Sequence, residues 1–155
     1  MNVTTSKPEF RLLTRDEIHT LLAKNHVGRM AYSRGDTIDM EPLHYVYAGG
    51  WLYGRTSQGK KLSTTGDGWW PVAFEVDEIE GFCDWRSVVV HGGFYTLSER
   101  GATWERGEWE RAVSVLRQQV PTAFTADDPT PSRTVVFRIA VQEVSGRSAS
   151  TRGSG

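Results

Sequence analysis

The run Gly54-Arg55-Thr56-Ser57-Gln58-Gly59-Lys60-Lys61-Leu62 has the composition of an anion cradle. It leaves a strand-like segment, turns through small polar residues and enters a short helical stretch. A dianionic phosphate is held by hydroxyls, by free backbone N–H groups at a helix start and by fixed cations. Thr56 and Ser57 bring hydroxyls, Arg55 a guanidinium able to clamp two oxygens, and Lys60 and Lys61 point charge. The same residues also read as a solvated turn with surface lysines. Gly54 to Lys60 matches the G-x-x-x-x-G-K spacing of a nucleotide P-loop. Lys61, however, stands where a Mg²⁺-holding Ser or Thr belongs, and the flanking runs read as antiparallel hairpins. A nucleotide triphosphatase is therefore disfavoured.

Two further segments suit a planar ring. In Asp84-Trp85-Arg86-Ser87-Val88-Val89-Val90-His91-Gly92, Arg86 and Ser87 offer donors to ring heteroatoms and Trp85 offers a wall; the plain alternative is a strand entry with a surface Arg and a packing Trp. In Asp39-Met40-Glu41-Pro42-Leu43-His44-Tyr45, Pro42 makes the strand irregular, so backbone groups there can face a ring edge. His44 is a candidate proton donor; Tyr45 reads as a barrel residue. His19, His26 and His91 lack metal-ligand spacing, and so does the run Glu75, Asp77, Glu78, Glu80. Cys83, the lone cysteine, has no evident activating base. Trp104 and Trp109 suit either a subunit interface or the buried face of a helix.

The elements that must position these residues follow from periodicity. Thr14-Arg15-Asp16-Glu17 has the form of a capping box, and Ile18, Leu21 and Leu22 recur at helical spacing, so a helix is predicted from Arg15 to Lys24. Strands are predicted at Val27–Ser33, Thr37–Tyr47, Trp51–Thr56, Val72–Asp77 and Trp85–Leu97. Pro42 implies an edge, bulge or bend; Gly92-Gly93 implies a bulge or bend. Trp109, Ala112, Val113, Leu116 and Val120 predict a helix over Glu108–Gln119, stopped by Pro121. A last strand is predicted at Val135–Val141. Residues 1–10 read as a loose N-terminus, and the Ser/Gly/Arg-rich tail from Ser145, above all 148–155, reads as disordered. Short hairpin connections make the sheet antiparallel, and about six such strands tend to close into a barrel.

Composition bounds the function. The 155-residue chain suits one domain, and its net charge of −1 gives no electrostatic case for nucleic acid or an anionic membrane. No stretch approaches the roughly 20 apolar residues of a membrane helix. With one cysteine and no signal-peptide pattern, a cytoplasmic protein is expected.

The order and spacing of these motifs resemble the pyridoxamine 5'-phosphate oxidase-like, FMN-binding split-barrel family. The resemblance runs from about Leu12 to Arg147. Val27-Gly28-Arg29-Met30-Ala31 after a helix is similar to the family's opening, and Glu41-Pro42-Leu43-His44-Tyr45-Val46-Tyr47 to its next strand. The cradle run, Val72–Asp77, Asp84–Gly92 and the closing Val144-Ser145-Gly146-Arg147 follow in register. The nearest branch is that of flavin-nucleotide-binding, nitroimidazole-resistance proteins. Two departures stand out: Thr65–Pro71 replaces the usual Asn-Pro style turn, and no basic, aromatic extension follows Arg147, which argues against pyridoxine chemistry.

The resemblance implies a mainly β (α+β) fold, a six-stranded antiparallel split β-barrel with flanking helices spanning 11–147. It implies a homodimer with FMN in clefts between subunits. By position, Lys60 and Lys61 match the phosphate-binding pair, and Arg55, Thr56 and Ser57 lie at the strand end above it. Met40, Glu41, Pro42 and Leu43 match the strand along the flavin ring, and Trp85, Arg86 and Ser87 the strand closing its edge from the other subunit. The expected reaction is reduction of a small acceptor, such as a nitro compound or quinone, by NAD(P)H. The alternatives are a non-catalytic flavin- or haem-binding protein, or a deazaflavin-dependent reductase.

Overall fold

A computed structural model describes residues 7–59 and 69–151. The elements are β1 (Glu9–Leu12), α1 (Arg15–Lys24), β2 (Val27–Arg34), β3 (Thr37–His44), β4 (Val46–Ala48), β5 (Trp51–Thr56), β6 (Trp70–Gly81), β7 (Asp84–Leu97), α2 (Thr103–Gln119), β8 (Val135–Ala140) and β9 (Glu143–Ser150).

Helix α1 begins where the capping box requires. Thr14 Oγ1 accepts from the Glu17 amide at 3.2 Å, and Glu17 Oε1 accepts from the Thr14 amide at 3.0 Å. Arg11 donates to both Glu17 oxygens at 2.6 and 2.8 Å. That guanidinium, followed by the Thr14 amide, holds the Glu17 carboxyl down at about 2. The opposite stripe, Ile18, Leu21 and Leu22, is buried against the sheet.

All strand pairs are antiparallel, in the order β3-β2-β6-β7-β8-β5-β4, with β9 on the first part of β7 and β1 on β9. The two ends of that path, β3 and β4, are consecutive in the chain, so the sheet curls round on itself. Tyr45 makes the corner: its amide donates to the His26 carbonyl at 2.9 Å and its hydroxyl to the Leu22 carbonyl at 2.7 Å. Burial pushes the Tyr45 phenol well above its ordinary range. The barrel splits at Gly92-Gly93. Before it, Trp85–His91 pair with β9; after it, Phe94–Leu97 pair with β8. Pairing with β6 runs through both glycines without a slip, so this is a bend; the register shift lies at Ile79/Gly81.

The barrel interior holds Met30, Leu43, Tyr45, Leu52, Phe74, Val88 and Phe137 together with the α1 stripe. A second core seats α2 outside the barrel, with Ala112, Val113 and Leu116 on Val46, Tyr53 and Val136. Trp109 packs against that core and Trp104 stays exposed. Among the described residues, no helix or further strand covers the outer face of β3-β2-β6-β7-β9-β1; Trp69 lies against Gly93 at one end of it.

Several expectations need correction. The strand expected over Thr37–Tyr47 breaks at Tyr45, because the barrel corner turns there. Pro42 is tolerated because β3 is an edge strand. Helix α2 starts at Thr103, five positions before the expected start at Glu108, with no side-chain cap. The expected disordered tail is wrong for its first part: Glu143–Ser150 is strand β9, held between β7 and β1 by ladder bonds that its Ser/Gly/Arg composition does not advertise. For the same reason Glu9 and Phe10 are not loose. Six strands were expected; among the described residues the sheet has nine.

Candidate cofactor site

The cradle run is only partly within view. Strand β5 carries Arg55 and Thr56 as its last residues, both buried, and its ladder ends at Thr56↔Val135. Ser57, Gln58 and Gly59 follow as exposed turn, so their N–H groups stand beyond the ladder. This donor set, hydroxyls and unladdered amides, suits a phosphate. Lys60 and Lys61 lie outside the described residues.

Arg55 is not free to clamp a phosphate, and that expectation is revised. Its Nη1 and Nη2 donate to the two Asp128 oxygens, each at 2.6 Å, and Nη2 also donates to Thr130 Oγ1 at 2.6 Å. The guanidinium carbon sits 4.7 Å from the Phe124 ring centroid. Because successive strand residues face opposite ways, Arg55 points to the α2 side while Thr56 points the other way.

The Met40–Leu43 segment divides between two faces. Leu43 faces the core, and Glu41, opposite buried Met30, accepts from the Tyr32 hydroxyl at 3.2 Å. Met40 and Pro42 stand on the uncovered outer face, Met40 at 67% exposure. His44, opposite Val27, is exposed on that face. Trp85 and Ser87 share the face on β7, whereas Arg86 turns to the other side, into a cavity of about 780 Å³ that Lys24, Glu78 and Glu80 also line. A smaller cavity of about 480 Å³ lies between Trp85, Phe10, Leu12 and Arg147. Sequence reasoning missed Phe10 and Leu12 as part of this face; their i, i+2 spacing was the available signal.

The face is continuous across the strands. The row Met40, Ala31, Ala73, His91, Glu143 crosses β3, β2, β6, β7 and β9, with the two alanines as its low centre. In the next row Arg29 Nη1 lies 3.2 Å from Glu75 Oε1 and 3.3 Å from Asp77 Oδ2. One guanidinium serves two carboxylates. Burial, then the neighbouring Asp77, raises the Glu75 carboxyl to about 7 against the pull of Arg29.

Within one chain the three segments do not form one cleft. Met40 and Trp85 lie on strands three spacings apart, about 14 Å, and Trp85 is a further six residues along β7 from His91, the residue in Met40's row. The β5 exit instead runs beside the end of β3, where a side-chain carbon on Gly54 would meet the His44 carbonyl oxygen at 2.9 Å. Among the described residues there is no cluster of three metal-ligating side chains, and no helix is long and apolar enough to cross a membrane.

A curled antiparallel barrel, split at a glycine bend, with a helix packed on its core and an uncovered outer face, defines a split-barrel protein. The model of the pyridoxamine 5'-phosphate oxidase family matches residues 14–148, and the chain belongs to that family. Among solved structures, it is similar to a FAD-binding protein of Mesorhizobium loti: 30% identity, TM-score 0.69, 91% of this chain and 99% of that one. It is also similar to a FAD-binding protein from Mycobacterium smegmatis at 22% identity and TM-score 0.62, covering 89% of this chain and 98% of that one. A putative 5-nitroimidazole antibiotic resistance protein from Bacteroides thetaiotaomicron matches at 13% identity and TM-score 0.65, covering 92% and 89%. These last two likenesses speak to the fold alone.

Proposed function

We propose that this chain is a flavoprotein that binds a flavin nucleotide between two copies and uses it to reduce a small acceptor at the expense of NAD(P)H. The observation that carries the cofactor is the likeness, at 30% identity over nearly the full length of both chains, to a FAD-binding protein. That likeness favours FAD over the FMN expected from the sequence motifs.

The residues present fit such a group. The unladdered turn Ser57–Gly59, with Thr56 before it and Lys60 and Lys61 after it, supplies phosphate donors. Met40 and Pro42, and Trp85 and Ser87, supply apolar and polar surface to a ring on the uncovered face. Because these two pairs sit on strands three spacings apart and are displaced along them as well, a two-fold partner is the economical way to bring β3 of one copy against β7 of the other. A face with Ile38 at 81%, Phe10 at 73% and Ile79 at 71% exposure gains from being covered.

The bound flavin supplies the hydride chemistry. The chain's own task is to anchor the phosphate, exclude water with the second copy and hold the ring against Met40 and Trp85. His44, exposed at the edge of that face, is placed to hold a proton for the acceptor.

Three measurements test the reading. Flavin released from purified protein is identified chromatographically as FAD or FMN. Lys60→Ala with Lys61→Ala weakens flavin-nucleotide binding at least about tenfold, roughly 1.4 kcal/mol; unchanged affinity in the folded variant counts against the cradle. Anaerobic NADH or NADPH bleaches the flavin absorbance and a nitroaromatic restores it. No bleaching by either donor removes the enzymatic part.

A further inference from the structure

We infer that Asp128 is a positioning residue for the phosphate end of the site: by locking Arg55 it fixes the β5 exit from which Thr56 and Ser57 address the anion, without touching the ligand. This rests on the flavin-phosphate reading above.

The segment between α2 and β8 is folded around one carboxylate. Asp128 accepts both guanidinium arms of Arg55 and, in addition, the backbone amides of Phe124 at 2.8 Å and Thr130 at 2.9 Å. Four donors meet the capacity of an ionised carboxylate, and they hold the Asp128 carboxyl well below the usual range, Arg55 foremost. The two side chains are 8% and 3% exposed. Phe124, which lies against the guanidinium, adopts φ 62°, a left-handed conformation uncommon outside glycine. Arg117 Nε donates to the Ala123 carbonyl at 2.9 Å, tying the segment to α2.

Stability alone is a weak reason for such a lock. A buried ion pair loses in desolvation much of what it gains in attraction, and an apolar pair of the same shape often serves as well. What a bidentate pair adds is direction. Here direction is set one residue before the end of the ladder. With Arg55 pinned towards α2 and Thr56 paired with Val135, the strand cannot fray or twist at its exit. The Thr56 hydroxyl then keeps the opposite orientation, and the amides of the following turn start from a fixed point. Preorganised donors bind an anion more tightly than donors that must first be ordered.

The test compares a flavin with and without phosphate. The full-length chain and its variants are titrated with FMN and with riboflavin, following flavin fluorescence. In the wild type the phosphate improves affinity by at least about tenfold. Asp128→Asn is expected to weaken FMN at least about tenfold and riboflavin less than about twofold. Thr130→Val, which removes one Arg55 partner and leaves the ion pair, is expected to show the same selective loss at about threefold; it serves where Asp128→Asn does not fold. A merely structural role weakens both flavins in parallel, and that parallel loss overturns the inference. So does an unchanged FMN-to-riboflavin ratio in both variants. A wild type that discriminates while the variants still do so overturns this inference alone. A folded wild type that takes up neither of these nor FAD overturns the flavin reading with it.

Discussion

A side-chain carbon on Gly92 would stand 1.6 Å from the carbonyl oxygen of Ala140. That closeness is what splits the barrel: β7 leaves β9 and takes β8 as partner where the β8–β9 turn crosses it. The obstacle is backbone, which cannot swing aside. Gly92→Ala is therefore expected to lower stability by at least about 3 kcal/mol, the upper end of overpacking costs. Denaturant midpoints measure it. Gly81→Ala is the control: its added carbon meets nothing within 4 Å, so its effect stays within about 0.5 kcal/mol.

Glu75 gives the folded chain a proton it would not hold when unfolded. Its carboxyl rises from 4.5 to about 7, with burial the first cause and Asp77 the second. A carboxyl raised on folding contributes stability in full below its unfolded value, and that contribution is lost as pH rises through the folded value. Glu75→Gln keeps the neutral shape. Its melting temperature is thus expected to match the wild type near pH 4 and to exceed it increasingly from about pH 5 to pH 8. A difference that does not change with pH contradicts the assignment.

The start of α1 offers a smaller, cleaner test. Thr14 is joined to Glu17 in both directions, so Thr14→Ala loses the cap. The expected cost is about 0.5–2 kcal/mol, read from thermal or urea unfolding. No loss would mean that the Arg11–Glu17 pair alone holds the helix start.

The uncovered face predicts an oligomer. Ala73 sits at the low centre of the Met40–Ala31–Ala73–His91 row. Ala73→Arg places an unpaired charge there and is expected to convert a dimer to monomers in sedimentation velocity, with the barrel's circular dichroism unchanged. A wild-type monomer that still holds flavin tightly contradicts the shared-cleft picture.

Periodicity located most of the elements because their apolar residues face one core. Ile18, Leu21 and Leu22 marked α1, and Val72, Phe74 and Val76 marked β6. It failed where burial comes from pairing rather than side chains. Ser145, Gly146, Arg147 and Ser148 look like a loose tail, yet they carry the ladder between β7 and β1; Gly146 is buried because a side chain would meet Leu13 and Ile18 at about 3 Å. The site was legible in the same uneven way. Residue types suggested an anion-seeking β5 turn and a ring wall at Trp85, whereas Met40 was suggested only by the family resemblance. No local pattern could reveal that Arg55 is spoken for, because its partner Asp128 lies 73 positions away.

The central claim is that the turn after β5 and the uncovered sheet face together hold a flavin nucleotide. The most direct measurement is an absorbance spectrum of the full-length chain after incubation with excess FAD, or with excess FMN, and removal of unbound ligand by gel filtration. The account predicts a yellow, dimeric protein with about one flavin per chain and the bands of oxidised flavin. A folded protein that elutes colourless from both, or one that shows a haem Soret band and takes up no flavin, would contradict it.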